Sequence, residues 1–311
     1  MVLPRPTNGA ASNVTVARRQ NKIEWRRLMT KRPVAMHLSR LALAVVLSST
    51  TLSAFAGAVL ERVQNNKQLV VAVSAKWPPH AFLNDNHQLA GFDIDVSNEL
   101  ARRLGAQVKF DTPDFHLVTG GHWQGRWDLA VYSITPTKAR ARVLDFPAIY
   151  FYSKYVFVVH KDSKAKTAED LKNVTFGVEG GTTADDYMHR DLQLDANSLP
   201  PFKYLDYTPK SIVSYKTSLL PFEDLRLGDN VRLGAILAEE QTAQTAIQHG
   251  YPVKIIPNDV AFLEPVAIVS DKGDPDLDKK IASIVNDMKQ DGTLKKISEK
   301  WYGKDYTQPN L

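Results

Sequence analysis

The sequence predicts an α/β protein with mainly parallel sheets flanked by helices. Short apolar runs typical of buried strands alternate with helical patterns along the chain, and such alternation favours parallel strands covered by helices. The 311 residues exceed one typical domain and indicate about two. With 43% apolar and 23% charged residues, the chain has the composition of an ordinary globular protein.

The first series of elements begins with residues 69–73, a continuous apolar run expected of a strand buried on both faces. Pro78 and Pro79 exclude helix and ladder hydrogen bonding, so Trp77 lies at the strand's carboxyl end, where open α/β sheets bind ligands. Apolar residues four apart predict a helix over about 95–104. Further strands are expected at 108–110, 129–132 and 155–159, and a short helix from 167.

A second alternating series starts at residues 174–178. Later strands are expected at 233–237 and 253–256, with a helix over 241–248 between them, whereas residues 197–221 are rich in Pro, Ser and Tyr and predict mostly loop. Asp274 is a candidate N-cap with Pro275 at the first helical position. An apolar stripe follows, and a short last helix is expected over 294–301; the stripe consists of Leu277, Ile281, Ile284, Val285 and Met288.

The first 56 residues differ from the rest in charge. They hold nine Lys/Arg and one acidic residue, and the remaining 30 basic and 33 acidic residues give a net charge of −3. The overall charge of +5 therefore gives no support for nucleic-acid binding. Arg40 precedes the apolar run 41–52, and Ala54-Phe55-Ala56 has the A-x-A form of a signal-peptidase site. We expect residues 1–56 to be an N-terminal extension plus a cleavable signal peptide.

Cysteine usage agrees with export. The chain has no cysteine, so an exported form has no disulfides and depends on its core for stability. It also lacks a cysteine after the cleavage site that could be lipidated. We therefore expect a freely soluble periplasmic protein that is not lipidated.

Patterns for several kinds of chemistry are missing from the sequence. His80, His87, His116 and His122 show no metal-ligand spacing. The Gly-rich stretch 177–183 lacks the Gly-Lys-Ser/Thr ending of a nucleotide-binding loop and predicts at most a weaker anion site. The sequence has no Gly-x-Ser-x-Gly motif, which would indicate a nucleophilic serine. We expect no metal, no cofactor and no catalytic residue.

The stretch 132–140 offers a candidate carboxylate site. Ser133 and Thr135 lie two apart at a strand end, so both hydroxyls can face one side, and Arg140 follows closely. Two hydroxyls and a guanidinium suit a carboxylate, which Arg can bind bidentately. An ordinary strand end followed by a surface Arg has the same spacing, and the spacing alone does not decide between them.

Several ordered motifs point to one family. They are Trp77-Pro78-Pro79 with Gly91-Phe92-Asp93-Ile94-Asp95, then Gly125-Arg126-Trp127-Asp128 with Ser133, Thr135, Arg140 and Asp145-Phe146, and finally Asp291-Gly292-Thr293-Leu294 with Lys300-Trp301-Tyr302-Gly303. From about residue 67 to 304 the chain resembles the polar amino-acid-binding periplasmic proteins of ABC importers. These are type II solute-binding proteins, bacterial extracellular solute-binding family 3.

The resemblance implies a two-lobed "Venus flytrap" fold in which both chain ends form lobe one. It implies lobe one over residues 57–155 and 265–311 and lobe two over 156–264. Trp77 and Phe115 would wall the ligand's side chain. The α-carboxylate would be held by Ser133, Thr135, Arg140 and Thr183, and the α-ammonium by Glu239, where the family usually has an aspartate.

Departures from the family pattern leave the specificity open, and one of them is Gly120-Gly121-His122 in place of a more apolar helical segment. Ser74 stands where binders of basic amino acids often carry an acid, Gly234 replaces a usual aspartate, and Glu239 is one methylene longer than the norm. The ligand is expected to be an amino acid or related amine, passed to a membrane permease by a protein that is monomeric by family default.

Two other functions share this fold. Periplasmic cyclohexadienyl or arogenate dehydratases use a lobe-two glutamate, which aligns with Thr242 here and speaks against that activity, although Glu239-Glu240 lies nearby. A ligand-presenting partner of a receptor would use the same closed form as an importer component.

Overall fold

The computed structural model describes residues 57–195, 199 and 201–309. The predicted extension and signal peptide lie outside these residues. The first part of the chain forms six strands and three helices: α1 (Ala58–Asn66), β1 (Gln68–Ala72), β2 (Lys76–Trp77), β3 (Ala81–Leu83), β4 (Leu89–Ala90), α2 (Phe92–Leu104), β5 (Gln107–Asp111), α3 (Phe115–Thr119) and β6 (Leu129–Ile134).

The remaining elements include two very long strands. They are β7 (Leu144–His160), β8 (Thr175–Glu179), α4 (Thr183–Met188), β9 (Ser211–Tyr215), α5 (Leu220–Leu225), β10 (Ala235–Glu239), α6 (Glu240–Gln248), β11 (Val253–Asp271), α7 (Pro275–Gln290) and α8 (Thr293–Tyr302). Short 3₁₀ turns cover Arg140–Arg142 and Ala168–Leu171.

The long strands β7 and β11 connect two halves of one sheet. The strand order is β5-β1-β6-β11-β7-β10-β8-β9, with β2, β3 and β4 in a small separate sheet. Strands β5, β1 and β6 are parallel to one another, as are β10, β8 and β9, whereas β7 and β11 pair antiparallel along most of their length. The α/β class with mainly parallel sheets flanked by helices is confirmed.

Each half has its own apolar core. On the β5-β1-β6 side, α2, α7 and α8 pack against the sheet around Val71, Phe92 and Ile281. On the β10-β8-β9 side, Phe176, Leu237 and Phe262 lie in a separate core. We call these sides lobe one and lobe two. The predicted boundaries at 155/156 and 264/265 fall inside β7 and β11, and they stay a prediction.

Gly91 explains why the aromatic-Pro-Pro turn and the first lobe-one helix occur together. Helix α2 begins at Phe92, three residues before the predicted start. Gly91 has φ 133°, and a Cβ there would lie 2.2 Å from the carbonyl oxygen of His80. The amide of Asp93 donates to that same oxygen at 2.8 Å. A side chain at Gly91 would therefore separate the helix from the turn.

The sequence predicted the wrong length for two strands and missed a strand in the segment predicted as loop. Strand β7 begins at Leu144 and β11 ends at Asp271, so both are much longer than expected. Pro257 and neighbouring polar residues interrupt the apolar pattern of β11 where its register shifts. The segment predicted as mostly loop contains β9, an edge strand whose side chains are exposed or half-buried and therefore show little apolar periodicity.

The carboxyl-terminal prediction is confirmed. Asp274 caps α7 by accepting from the amide of Leu277 at 3.0 Å, Pro275 is its first residue, and all five stripe residues are buried. Within the described part of the chain, none of the helices combines the length and apolarity needed to cross a membrane.

Candidate functional site

The two lobes meet across a cleft at the carboxyl ends of β6, β8 and β10. Backbone bonds join the lobes at one side: the amide of Lys138 donates to the carbonyl of Gln193, and the amide of Asp195 donates to the carbonyl of Pro136, both at 3.0 Å. The cleft is therefore closed. The strand-end location is where open α/β sheets place ligands.

Trp77 forms the lobe-one wall of the cleft. It ends β2, is 6% exposed, and its indole Nε1 donates to Thr242 Oγ1 of lobe two at 3.3 Å. Phe115 packs edge-on to it with ring centroids 6.3 Å apart. The two aromatic residues predicted to wall a ligand thus lie together.

Arg140 lies between the lobes, and its guanidinium has more N–H donors than the two hydrogen bonds described here use. Its Nη1 donates to the carbonyl of Thr135 at 2.9 Å and its Nη2 to the carbonyl of Gly181, in lobe two, at 3.1 Å. Its guanidinium also lies 5.4 Å from the ring centroid of Phe115. Burial lowers the pKa of Arg140, although nearby acids oppose this shift. Since a guanidinium has five N–H donors, the remaining ones can take a carboxylate.

Glu264 is a buried carboxyl beside the predicted carboxylate site. It lies in β11, is 1% exposed, and its Oε2 accepts from the Thr183 hydroxyl at 2.7 Å. Thr183 is the first residue of α4, whose N-cap is Thr182. Thr135, Arg140 and Thr183 therefore meet around Glu264, three of the four residues predicted to hold an α-carboxylate.

Ser133 has a different environment. Its backbone has φ 49°, and its hydroxyl donates to Asp93 Oδ2 at 3.1 Å. The hydroxyl of Tyr150 donates to the other Asp93 oxygen at 2.6 Å. The Ser133 hydroxyl is therefore engaged inside lobe one, and its predicted contact with a ligand carboxylate stays a prediction.

Glu239 faces His80 across the cleft. The last residue of β10, it is 2% exposed, and its Oε2 lies 2.8 Å from His80 Nε2, an ion-pair distance without hydrogen-bond angles. His80 Nδ1 lies 2.7 Å from the hydroxyl of Tyr302. Burial lowers the pKa of His80. The carboxylates of Glu239 and Asp93 raise it by more than burial lowers it, so the net shift is upward. Glu239 therefore favours the protonated, cationic form of His80.

Two neighbouring cavities open from this point. The inner cavity is lined by Trp77, Glu179, Ser218, Glu239 and Thr242, among others. The outer cavity shares Trp77, Glu179 and Ser218 and adds Phe115 and several exposed polar residues, including Lys76 and Lys216. In the described residues, no cluster of three His, Asp or Glu side chains could hold a metal ion.

Buried carboxyls make the stability of the ligand-free protein depend on pH. Burial raises the pKa of Glu179 and Glu264 to about 8 each and the pKa of Asp93 to about 7. The folded protein therefore keeps protons that the unfolded chain releases near pH 4. Their stabilising contribution is complete below pH 4 and is lost as the pH rises to about 8.

We expect the free energy of unfolding to fall between pH 5 and pH 8, by about 1.4 kcal/mol per pH unit for each carboxyl that is protonated only in the folded protein. Urea unfolding of the ligand-free protein at each pH measures this change. A free energy that stays constant or rises over this interval would contradict the assigned protonation of these carboxyls.

Sequence reasoning missed four polar residues of the cleft, namely His80, Glu179, Ser218 and Glu264. Two of them had a signal in the sequence. Glu264 is the only acid in the apolar run 261–269, and Glu179 ends a predicted strand just before the Gly-rich turn. No pattern singled out His80 or Ser218.

Comparison with known proteins settles the family. Residues 69–304 match the bacterial extracellular solute-binding proteins, family 3. The chain belongs to this family. The matched residues include every cleft residue described above. The match extends from the first strand of this solute-binding protein to its last helix.

Relatives of this solute-binding protein bind amino acids. The L-cystine-binding protein TcyJ of Escherichia coli (strain K12) is 25% identical over 280 residues, covering 88% of this chain and 98% of the relative. The L-arginine-binding protein of Pseudomonas aeruginosa is 27% identical over 280 residues, covering 86% of this chain and 98% of the relative.

Solved structures agree with the two-lobed fold of this solute-binding protein. A mutant of ArgBP from T. maritima superposes with a TM-score of 0.67 at 28% identity, covering 79% of this chain and all of that one. The ancestral amino acid-binding protein AncCDT-1, a precursor of cyclohexadienyl dehydratase, gives a TM-score of 0.68 at 26% identity with the same coverage. The type II fold expected from the sequence is confirmed.

Proposed function

We propose that this protein captures an amino acid or a related amine between its lobes in the periplasm and delivers it to an ABC permease. The observation that carries the proposal is that Arg140 and Glu239 each contact the opposite lobe, Arg140 at Gly181 and Glu239 at His80. The first supplies free guanidinium donors and the second a buried carboxylate oxygen that has no hydrogen bond within the described part of the chain. These groups match the two charges of a zwitterion, and the relatives bind arginine or cystine.

Ligand capture would favour closure because each lobe supplies part of the site. Arg140 comes from lobe one, whereas Thr183 and Glu239 come from lobe two. A ligand that bonds to both lobes has a differential affinity for the closed form, which is what a shift between open and closed populations requires. The permease would then recognise the closed form.

The dehydratase alternative has one structural neighbour in its favour, the precursor protein AncCDT-1. Against it, the position aligned with the family dehydratases' glutamate is Thr242, whose hydroxyl accepts a hydrogen bond from Trp77. A hydroxyl in that place does not supply the acid group. We therefore propose binding without catalysis.

Thermal unfolding tests the proposal. The protein is stripped of ligand by unfolding and refolding, and is then heated with each amino acid, with arogenate and with prephenate. Ligand at about a hundred times its Kd adds about 2.7 kcal/mol, which shifts Tm by several degrees. A shift with one or a few amino acids is the expected result. A shift only with arogenate or prephenate would favour the enzyme, and no shift with any of these compounds would contradict the proposed function.

We expect Trp77→Ala to weaken binding more for large ligands than for small ones. The indole walls the cleft on the side-chain end of the ligand, so truncation removes contacts that only a large side chain makes, worth about 1–3 kcal/mol. Calorimetric Kd values for alanine and for the preferred ligand measure the difference. As a control, Trp77→Phe keeps the aromatic wall but removes the hydrogen bond to Thr242. If Trp77→Ala weakens the binding of both ligands equally, Trp77 only packs and does not contact the ligand's side chain.

A further inference from the structure

Three buried polar atoms on residues that line the inner cavity have neither a hydrogen-bond partner nor an ion-pair partner among the described residues. They are Glu179 Oε2, Ser218 Oγ and Glu239 Oε1, and the residues that carry them all line that cavity. Buried polar groups are normally satisfied, since an unpaired one costs about 1–3 kcal/mol and more when it is charged. Three at one cavity indicate an occupant that donates hydrogen bonds.

The chemistry of these atoms defines the occupant. An ionised carboxylate only accepts hydrogen bonds, so Glu239 requires donors, as does Glu179 once it has lost its proton. Among the described residues that line the inner cavity there is no Lys, Arg or His. The hydrogen bonds of Arg140 go to backbone carbonyls, and His80 approaches only the other Glu239 oxygen, Oε2. The described lining of the inner cavity therefore brings no positive charge to Glu179, and Lys76 and Lys216 line only the outer cavity. A cationic group of the ligand would supply that charge.

Glu179 differs from Glu239 in having no charged partner among the described residues. Glu239 is the residue expected to take an α-ammonium, which leaves Glu179 Oε2 at the end of β8 unpaired within the described part of the chain. Burial and the charge of Glu239 raise the pKa of Glu179 to about 8, and a cation beside it would offset both causes. Glu179 thus favours a second positive group on the same ligand.

Lobe one offers a hydroxyl, not an acid, at the position of Ser74. Binders of basic amino acids often carry an acid there, whereas the Ser74 hydroxyl lines the outer cavity and accepts from the amide of Lys76 at 3.1 Å. Glu179, at the end of β8 in lobe two, is an acid that lines both cavities. Trp77 lines both cavities. Its side chain therefore lies beside residues of lobe one and residues of lobe two.

We propose that Glu179, with Ser218, forms a subsite for a second cationic group on the ligand's side chain. The ligand class is an amino acid with a distal ammonium or guanidinium. This inference rests on the proposed function, because it takes the α-ammonium at Glu239 as given.

The distal cation has two chemical sources. It is either a bare cation, as in arginine, or the ammonium of a second zwitterion, as in cystine. A second zwitterion also brings a carboxylate, and the exposed Lys76 and Lys216 line the outer cavity where that carboxylate would lie. Replacing these two lysines by Ala should weaken cystine binding and leave arginine binding within about threefold.

Calorimetric titration with matched ligand pairs tests the subsite. L-citrulline has the shape of L-arginine without its charge, and S-(2-carboxyethylthio)-L-cysteine is L-cystine without its distal ammonium. The wild-type protein should bind the cationic member of at least one pair about tenfold or more tightly than its partner. Glu179→Gln, which is isosteric, should reduce that preference to about threefold or less. Glu169→Gln, an exposed acid on a 3₁₀ turn, should keep it.

Two results would overturn the subsite while leaving the proposed function intact. One is equal affinity for both members of each pair, or affinity only for neutral amino acids. The other is a preference that survives Glu179→Gln. Binding of no amino acid at all would instead contradict the proposed function itself.

Discussion

Arg140→Ala is expected to raise the Kd for the amino-acid ligand at least about 100-fold. The guanidinium is 9% exposed, so a carboxylate that enters the closed cleft leaves water and needs charged donors there. Removing one partner of a buried charge pair costs about 2–5 kcal/mol. The variant also loses the bond from Arg140 to Gly181, which joins the lobes.

Two variants separate ligand binding from folding in this test. Arg142→Ala changes an exposed arginine in the same 3₁₀ turn and should leave the Kd within about twofold. Arg140→Lys keeps the charge but loses the bidentate geometry, so an intermediate Kd is expected. Calorimetry gives the Kd values, and circular dichroism checks that each variant is folded. Wild-type affinity in Arg140→Ala would show that the carboxylate binds elsewhere.

Glu239→Gln is expected to raise the Kd by about 100-fold, the second largest effect. The substitution keeps the shape of the side chain but removes the charge that would pair with an α-ammonium, at a cost of about 2–5 kcal/mol. It also removes the charged partner of His80 in the closed form. Binding should therefore weaken for every amino acid, whatever its side chain.

The adjacent residue gives a matched control. Glu240 begins α6 and accepts from the hydroxyl of Tyr306 at 3.2 Å, and it lines neither the inner nor the outer cavity of the described chain. Glu240→Gln should change the Kd by less than about threefold in the same calorimetric titration. If the two variants bind equally well, Glu239 does not contact the ammonium.

The fold could be predicted where apolar pattern and capping agree. Helix α7 has its N-cap Asp274, its first-turn Pro275 and its buried stripe where the sequence places them. The long strands β7 and β11 could not be predicted in full, because they pass through both lobes and change their buried face and register on the way. The edge strand β9 gave no pattern, because one sheet partner and exposed side chains impose little periodicity.

The site was predictable only for residues that belong to a motif. The roles of Trp77, Arg140 and Glu239 follow from the resemblance and stay predictions, and the structure places each of them in a contact between the lobes. His80 and Glu264 depend on contacts between segments far apart in sequence, namely His80 with Glu239 and Glu264 with Thr183. Such contacts exist only after the lobes are folded and closed, so no local pattern reveals them.

A crystal structure of the protein with the amino acid that gives the largest thermal shift would decide whether Arg140 and Glu239 bind the two charges of a zwitterion. We expect the ligand to lie between the lobes, with its α-carboxylate within hydrogen-bond distance of Arg140 and its α-ammonium within the same distance of Glu239. An amino acid bound outside the cleft, or with neither charged group on these two residues, would show that the proposed pairing is wrong.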